Sequence, residues 1–558
     1  GDSTKSISTK SRFLSHSHFK NIKGDSMLKK INLFDSIVIG LIIASFILFV
    51  LYPFVAVFNY GYKGELFSEL LTNLPSYSHL LVNTVKVAIA TTIVTVFISV
   101  AVSLYYFIGT SKFKKIIVFI FMISMISPPF VTSLSYINLF GRRGLISYNL
   151  LKLNYDPYGF FGIVSMQSVT HISINVLLLV GFLKGIDKGV INSARSLGAN
   201  TNRIILDILL PLMRPVIKVV ILLTFLRSMA DFATPAIIGG KYNVLATEGY
   251  LSFIAEGNIS KAVIMNLIIL IPSLLIFFIF FKSFRNTTLG SKNVGVLEAN
   301  IKKSGIIYYI SLMVTVIIVL MLVSLYSAII ISAFSTMEYG KLIFTLQNFI
   351  DANDYITDVF VRSVIYSLIA GLISSVVGHV LQYYIYIRNV KVLKMIDFVA
   401  TLPYILPGTF FGLGYVLAFN SYPLKLTGTA LIVILNLVFK QMPFATKIGY
   451  SSISQVSEDQ LKSVRDLGGS RFNEIKDVVF PMSYEGFYIS FINGFTATMT
   501  TIGSIIFLIY PSQKVAIIVM FDVIESGKYD IGSVIAFYII MICLVINISY
   551  YLIVNRRR

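Results

Sequence analysis

The sequence predicts an all-α integral membrane protein with twelve transmembrane helices in two homologous six-helix halves. Three observations predict this fold class. Of the 558 residues, 56% are hydrophobic and only 13% are charged, and the mean hydropathy is +0.82. Twelve apolar stretches each approach or exceed the roughly 20 residues that a helix needs to cross a bilayer. A patterned loop also occurs twice at one spacing, which indicates an internal repeat.

The apolar stretches and the polar segments between them define the predicted organisation. The stretches lie at 36–58, 82–108, 116–140, 160–183, 215–238, 262–281, 306–333, 361–387, 395–419, 427–447, 485–510 and 531–554. Residues 1–30 are rich in Ser, Lys and His and predict a disordered cytoplasmic tail, with Met27 as a natural start. The halves are then 31–284 and 304–558, and a polar cytoplasmic linker at 285–303 joins them.

The distribution of the basic residues predicts the orientation. With an even number of helices and both termini in the cytoplasm, most of the 46 Lys and Arg residues fall in the tails and the cytoplasmic loops. The formal net charge of +20 therefore marks the cytoplasmic face of a protein embedded in membrane lipid. It requires no nucleic acid as a partner.

The repeated loop has a Gly followed 13 positions later by a Pro. In the first half Gly198 precedes Pro211, and in the second half Gly468 precedes Pro481, 270 positions further along the chain. Each copy predicts a short amphipathic helix, a Gly that ends it in a left-handed cap conformation, and a second helix that the Pro stops as the chain re-enters the bilayer. A compact cytoplasmic helix of this kind suits a groove on a partner protein.

This pair of loops resembles the Glu-Ala-Ala…Gly…Ile-x-Leu-Pro loop of ABC importer permeases, which forms a coupling helix seated in a cleft of the ATPase subunit. The corresponding positions here are Asn192, Ser193, Ala194, Gly198, Ile208, Leu210 and Pro211, and Lys462, Ser463, Val464, Gly468, Val478, Phe480 and Pro481. Asn192 and Lys462 replace the acidic residue of the family. A salt bridge to the ATPase would therefore have to come from Glu458, Asp459 or Asp466.

Other segments resemble the fused permeases of the ferric-iron transporter group. They are Met229 to Gly240, its counterpart Met499 to Pro511, and Gly141-Arg-Arg-Gly144. The resemblance implies a bacterial inner-membrane permease that works with two copies of an ATPase subunit and an extracytoplasmic substrate-binding protein. ATP and magnesium would be used by the ATPase, and this chain would bind no cofactor. Relatives in the same subgroup carry phosphorylated sugars or organophosphonates, so ferric iron is the favoured cargo and such an anion is the alternative.

Polar residues within the predicted spans are candidates for the substrate pathway. Gln167, His171 and Asn175 follow one another at a spacing of four in the fourth helix, on one helical face. They line a path or form interhelical hydrogen bonds, and both explanations are open. His379 is the only other His well inside a predicted span, so no metal site is expected.

The fifth predicted helix carries the second group of candidates. Arg227 and Asp231 are four residues apart and predict an ion pair, which lines the pore or has a purely structural role. The offset of 270 residues sets Met229 against Met499 and Asp231 against Thr501. These residues are expected to meet at a gate, with the methionines as an adaptable apolar plug.

Two other classes of protein are less compatible with the sequence. A secondary transporter of the major facilitator type also has two six-helix halves. Its Gly-x-x-x-Asp-Arg-type signature is missing from the loop after the second helix, which reads Gly109-Thr-Ser-Lys-Phe-Lys-Lys115. A membrane enzyme would need a catalytic cluster, and none is recognisable. The sequence also has no Gly-x-x-x-x-Gly-Lys-Ser/Thr loop, so the chain is not expected to hydrolyse ATP.

Overall fold

The computed structural model is built almost entirely of α-helices, as the composition predicts. It describes residues 32–286 and 301–555, apart from 63, 110, 143, 153–155 and 339–340. The predicted tail at 1–30 and residues 287–300 of the predicted linker lie outside the described residues.

Helices α1 to α11 fall within the first part of the described chain. They are α1 Leu33–Gly61, α2 Gly64–Thr72, α3 Leu74–Ile108, α4 Ser111–Ile126, α5 Val131–Phe140, α6 Phe160–Lys184, α7 Lys188–Ser196, α8 Thr201–Ala230, α9 Ala233–Ile238, α10 Leu245–Ile254 and α11 Ile259–Asn286. A π-helical segment, Leu145–Leu150, follows α5.

The second part follows a similar order. It has an antiparallel hairpin of β1 Ser335–Glu338 and β2 Lys341–Phe344 after its first helix, and turns at 503–508 in the place of α9. Its helices are α12 Ile306–Phe334, α13 Gln347–Ile356, α14 Val359–Ile387, α15 Leu393–Ile405, α16 Gly408–Phe419, α17 Ala430–Ile453, α18 Glu458–Asp466, α19 Phe480–Thr500, α20 Ala516–Glu525 and α21 Tyr529–Asn555. The segments Arg471–Asn473 and Glu474–Val479 lead directly into α19.

Within the described residues, nine helices are long and apolar enough to cross a membrane, or up to eleven spans exist if each of two bent pairs counts as one. The predicted number of twelve is therefore not confirmed. The predicted span at 485–510 corresponds to α19, which ends at Thr500 and is not among these helices.

Besides α19, three more predicted helices are interrupted, and the prediction of continuous spans there is wrong. The predicted helix at 116–140 bends by 105° between α4 and α5, and that at 395–419 bends by 113° between α15 and α16. Pro128 and Pro129 lie at the first break and Pro407 at the second, where they remove backbone donors and disfavour helix in the preceding residue. The predicted helix at 215–238 begins earlier, at Thr201, and α8 ends at Ala230.

The structural repeat follows the sequence repeat closely. Helix α7 begins at Lys188 and ends at Ser196, and α18 begins at Glu458 and ends at Asp466, which are the positions 270 residues further on. The last residues of α8 and α19, Ala230 and Thr500, are related in the same way.

The first helix of each half packs against the opposite half. Tyr415 of α16 donates a hydrogen bond to the Phe49 carbonyl of α1 at 2.7 Å. A Cβ on Gly414 would lie 2.7 Å from the Pro53 carbonyl oxygen, so α16 can approach α1 this closely only with Gly at that position. In the other direction, α12 packs on α3, where the Tyr105 and Tyr308 ring centroids are 5.9 Å apart. The halves are therefore interlocked.

Both repeated loops contain the expected Gly cap. The φ angle is +85° at Gly198 and +79° at Gly468, a conformation that side chains with a Cβ rarely adopt. The next amide closes each cap, with Ala199 N donating to the Ala194 carbonyl at 3.0 Å. This confirms the predicted Gly caps. The prediction that the Pro ends the second helix is wrong, because the helix that begins at Thr201 continues through Pro211 to Ala230.

We expect Gly198→Val to loosen the first loop without unfolding the protein. A Cβ at Gly198 would meet no atom within 4 Å, so the penalty is conformational, on the order of 1–2 kcal/mol. Limited trypsin cleavage at Arg195 and Arg203 of the purified protein should become roughly tenfold faster.

Gly181→Val is the matched control, because Gly181 also has no atom within 4 Å of its Cβ position but lies inside α6 without a positive φ. Its cleavage rate should equal that of the wild type. Equal rates in all three proteins would show that the left-handed cap does not stabilise the loop.

Candidate functional site

A cavity of about 400 Å³ lies where the interrupted helices of the two halves meet. Residues at the four chain breaks line it, together with residues from the middle of α6, α8, α17 and α19. Its polar and charged wall includes Thr170, His171, Arg227, Asp231, Lys440, Gln441, Asn493, Thr496, Thr500, Thr501 and Ser504. Interrupted helices at membrane depth are tolerated where they are buried in protein or line a cavity, which makes this the candidate pathway.

The cavity wall is built from equivalent positions of the two halves. His171 and Gln441 are separated by 270 positions, as are Asp231 and Thr501, and all four line the cavity. The two halves thus contribute equivalent positions to the wall, while their side chains differ.

Asp231 does not form the predicted ion pair with Arg227. Its Oδ2 accepts from Gln167 Nε2 at 3.0 Å and its Oδ1 accepts from the Thr234 amide at 3.1 Å. Helix α8 ends at Ala230, and the backbone of Asp231 is extended with ψ 111°, so helical i,i+4 geometry does not extend to it. The carboxylate instead caps the start of α9.

Only one of the three predicted polar residues on α6 faces the cavity. His171 lines it, whereas Gln167 and Asn175 are each 1% exposed and hydrogen-bond to neighbouring helices. Asn175 Nδ2 donates to Thr224 at 2.7 Å, and Gln167 accepts from Thr91 at 3.2 Å. For these two residues, interhelical hydrogen bonding is the correct explanation. Gln167 still contributes to the site because it holds Asp231.

The predicted methionine plug is not part of the cavity wall. Met229 and Met499 are 0% and 2% exposed and pack in the apolar core. An aromatic cluster lies beside the cavity instead: the ring centroids of Phe232 and Tyr250 are 5.0 Å apart, and those of Phe232 and Phe521 are 5.8 Å apart. Phe232 directly follows Asp231 and lies within the segment Met229 to Gly240 that the sequence singled out. Its aromatic partners Tyr250 and Phe521 lie outside that segment.

Lys440 is a cavity residue that the predicted site omitted. Its ammonium group donates to the Pro403 carbonyl at 2.7 Å and to the Leu406 carbonyl at 3.3 Å, at the end of α15. The signal in the sequence is a basic residue in the middle of an apolar span, which is costly unless it is paired. Its partners are backbone atoms, which a residue pattern does not show.

The two repeated loops are anchored by different contacts. In the first half, Thr201 donates to the Lys302 carbonyl at 2.8 Å and Asn202 accepts from the Ile307 amide at 3.3 Å. In the second half, Arg388 at the end of α14 pairs with Glu474 at 2.8 Å, and the side chains are only 4% and 1% exposed. Arg388 also donates to the Tyr383 hydroxyl.

The predicted loop residues are all exposed or half-buried. Asn192, Ser193 and Gly198 are exposed, and Ala194, Ile208, Leu210 and Pro211 are half-buried; Ser463, Gly468, Phe480 and Pro481 are exposed, and Lys462, Val464 and Val478 are half-buried. The residue before each Gly, Leu197 or Leu467, is 88% exposed. Coupling to an ATPase remains a prediction for this surface.

Comparison with known proteins identifies the family. Residues 106–283 and 367–558 both match the family described as "Binding-protein-dependent transport system inner membrane component". Because the two matches cover more than half of the chain, this protein belongs to that family. It is a multi-pass inner-membrane permease component with two copies of the family domain in one chain.

Individual relatives extend the similarity to nearly the whole chain. The ferric transport system permease protein FbpB of Actinobacillus pleuropneumoniae is 26% identical over 551 residues, covering 94% of this chain and 79% of the relative. The putative ferric transport system permease protein FbpB 1 of Haemophilus influenzae is 26% identical, covering 84% and 77%. The spermidine/putrescine transport system permease protein PotB of Escherichia coli is 26% identical over 27% of this chain and 60% of that protein.

Mutations at Asp231 should be energetically coupled to Gln167 and not to Arg227. A double-mutant cycle with Asp231→Ala and Gln167→Ala should give an interaction energy of about 0.5–3 kcal/mol, because the two side chains share a buried hydrogen bond. The same cycle with Arg227→Ala should give a value near zero. Stability of the purified protein in detergent provides the measurement.

Thr501→Ala is the symmetry-matched control for Asp231→Ala. Within the described residues, its hydroxyl bonds only to the Ala497 carbonyl of the preceding helix at 2.6 Å, so this change should be the milder one. Strong coupling between Arg227 and Asp231 would contradict the geometry described above.

Breaking the Arg388–Glu474 pair should destabilise the protein strongly. Glu474→Gln or Arg388→Met removes this ion pair between two buried side chains, a change that costs about 3–5 kcal/mol in such pairs. Joining Arg388→Met with Glu474→Met should restore much of the loss in thermal stability. A double variant no more stable than the worse single variant would contradict this. The exposed pair Lys462–Asp459, at 3.8 Å, is the control, and Asp459→Asn should change stability little.

Proposed function

We propose that this chain is the membrane-spanning permease of an ABC importer for ferric iron. The observation that carries this proposal is the 26% identity to the ferric transport permease of Actinobacillus pleuropneumoniae over 94% of the chain, which includes both halves. Similarity to the polyamine permease covers only 27% of the chain and carries less weight.

The partners in this proposal are two copies of an ATPase subunit and an extracytoplasmic substrate-binding protein. Each repeated loop offers a short helix of nine residues with an exposed Leu at its end, Leu197 or Leu467, and an apolar tip of this kind fits a cleft on a partner. Two similar loops favour two copies of the ATPase, which would bind ATP and magnesium. The chain itself would hydrolyse no ATP and hold no cofactor, with both termini cytoplasmic and membrane lipid around it.

In this orientation the substrate enters from the side of the aromatic cluster. Helices α4 and α8 run from cytoplasmic loops to their breaks, so Phe130 and Phe232 lie on the external side of the cavity. The ring centroids of both lie within 6 Å of that of Phe521, at 5.6 and 5.8 Å. Separation of these rings would open the cavity to a docked binding protein, and ATP-driven movement of the two loops would supply the work.

A second candidate cargo is a phosphorylated sugar or an organophosphonate. The observation in its favour is the charge of the cavity wall, where Arg227 and Lys440 outnumber Asp231. A binding protein specific for either cargo would work with the same permease architecture.

Reconstitution of the purified permease with the ATPase subunit and the binding protein tests the proposal. In proteoliposomes, we expect uptake of radioactive ferric iron that requires ATP, the ATPase and the iron-loaded binding protein. The permease alone should show no ATP hydrolysis.

Uptake of a phosphorylated sugar or phosphonate without uptake of iron would establish the second candidate. ATP turnover by the permease alone would contradict the division of labour between the subunits. Proteoliposomes with the permease omitted control for leakage and for adsorbed iron.

A further inference from the structure

In the described part of the chain, the cavity wall has more cationic than anionic side chains, and its one carboxylate already has hydrogen-bond partners. Arg227 and Lys440 are the cations, and Asp231 is the only carboxylate among the described lining residues. Both oxygens of Asp231 already accept hydrogen bonds, from the Gln167 amide and the Thr234 amide. The cavity therefore has an excess of positive charge, and its one carboxylate is committed to holding the chain break.

A bare trivalent cation finds poor conditions in such a cavity. Fe³⁺ is a hard ion that needs several anionic oxygen ligands. Within the described residues, no group of three or more His, Cys, Asp and Glu side chains could hold a metal ion. Two cations in a wall of low dielectric constant would also repel the metal.

The same wall offers donors for an anion. The Arg227 guanidinium has five N–H donors and lines the cavity, and it donates to no hydrogen-bond or ion-pair partner among the described residues. His171, which is 8% exposed, lines the cavity as well, and its buried Nε2 has no hydrogen-bond partner in the described chain. Other buried polar atoms of the described chain also lack a partner, but this one belongs to a wall that surrounds open space.

Lys440 completes the arrangement from the opposite half. It makes two hydrogen bonds to backbone carbonyls, at 2.7 and 3.3 Å, and an ammonium group has three donors. One donor can therefore serve a ligand. Thr500 and Asn493 add neutral polar groups to the same wall.

We propose that the cavity binds a multivalent oxyanion through Arg227 and Lys440, with His171 beside it, so that the cargo crosses the membrane as an anion. The oxyanion is either part of a phosphorylated or phosphonate solute or the ligand shell that remains attached to ferric iron. The alternative in which the oxyanion is bound to ferric iron rests on the proposed function. An anionic shell would supply the oxygen ligands that the cavity lacks. It would also give the cargo a negative charge, which Arg227 and Lys440 would attract.

Binding of inorganic phosphate to the full-length permease in nanodiscs tests the site without the ATPase, which has a phosphate site of its own. By equilibrium dialysis with radioactive phosphate, Arg227→Gln should raise the Kd roughly tenfold or more, as expected for loss of one charge-assisted hydrogen bond. Arg227→Lys should restore part of the affinity. Arg214→Gln is the matched control, because Arg214 lies on the same helix, is exposed and does not line the cavity.

Lys440→Gln should also weaken phosphate binding, and because its ammonium holds the end of α15, thermal stability must be measured alongside. Arg227 makes no such structural contact within the described chain, so the Kd of Arg227→Gln is the decisive measurement. No binding of phosphate by the wild type, or equal Kd values for the wild type and Arg227→Gln, would overturn the proposal.

Uptake with two labels distinguishes the two sources of the oxyanion. Proteoliposomes with the ATPase and the binding protein receive iron and phosphate carrying different radioactive isotopes. Entry of both labels in a constant ratio indicates that iron enters with its anionic ligands bound. Entry of phosphate alone indicates a free anionic solute. Entry of iron without phosphate, unaffected by Arg227→Gln, would overturn the proposal. Failure of all iron uptake with phosphate binding intact would contradict only the assignment of iron.

Discussion

Every backbone N–H and C=O group inside a bilayer needs a partner, and this constraint governs the arrangement around the cavity. The chain is interrupted in both halves, after α4, α8, α15 and α19. Each interruption leaves helix ends whose polar groups have no partner in their own helix. The side chains that satisfy them must come from nearby positions, which restricts what the cavity wall can contain.

At equivalent positions of the two halves, different side chains bind the backbone groups at the helix ends. In the first half, Thr170 donates to the Pro129 carbonyl at 3.1 Å, beside the break between α4 and α5. In the second half, the residue 270 positions later is Lys440, which donates to Pro403 and Leu406 at the end of α15. Asp231 likewise binds a free backbone group, because it accepts a hydrogen bond from an amide at the start of α9. Two of the three charges that face the cavity are thus also the groups that hold the broken helices.

The sequence predicts the features that depend on local pattern. Hydropathy gives the apolar spans, and the spacing of Gly198 and Gly468 gives the repeat and the two caps, because a left-handed Gly is a local requirement. Hydropathy carries no information on chain direction, so it treats the bent segments around Pro129 and Pro407 as straight spans. The ion pair of Arg227 with Asp231 was predicted from helical spacing, which ceases to apply where α8 ends.

Features that depend on distant contacts could not be predicted in the same way. The partners of Lys440 lie 37 and 34 residues away in the chain and are carbonyl oxygens. Met229 and Met499 occupy equivalent positions, as predicted, but whether such a pair faces a cavity or the core depends on how two halves pack. Sequence symmetry determines which residues correspond and leaves open the direction in which each one points.

Fusion of the halves into one chain changes what the cavity can carry. In a symmetric dimer of identical subunits, every charge on the wall occurs twice, so two copies of Asp231 or two of Lys440 would face the same space. Here Arg227 corresponds to Ala497, and Asp231 corresponds to Thr501. The fused chain places equivalent positions of the two halves around the cavity and gives each half its own side chains. A wall with two cations and one committed carboxylate is therefore accessible only because the halves have diverged.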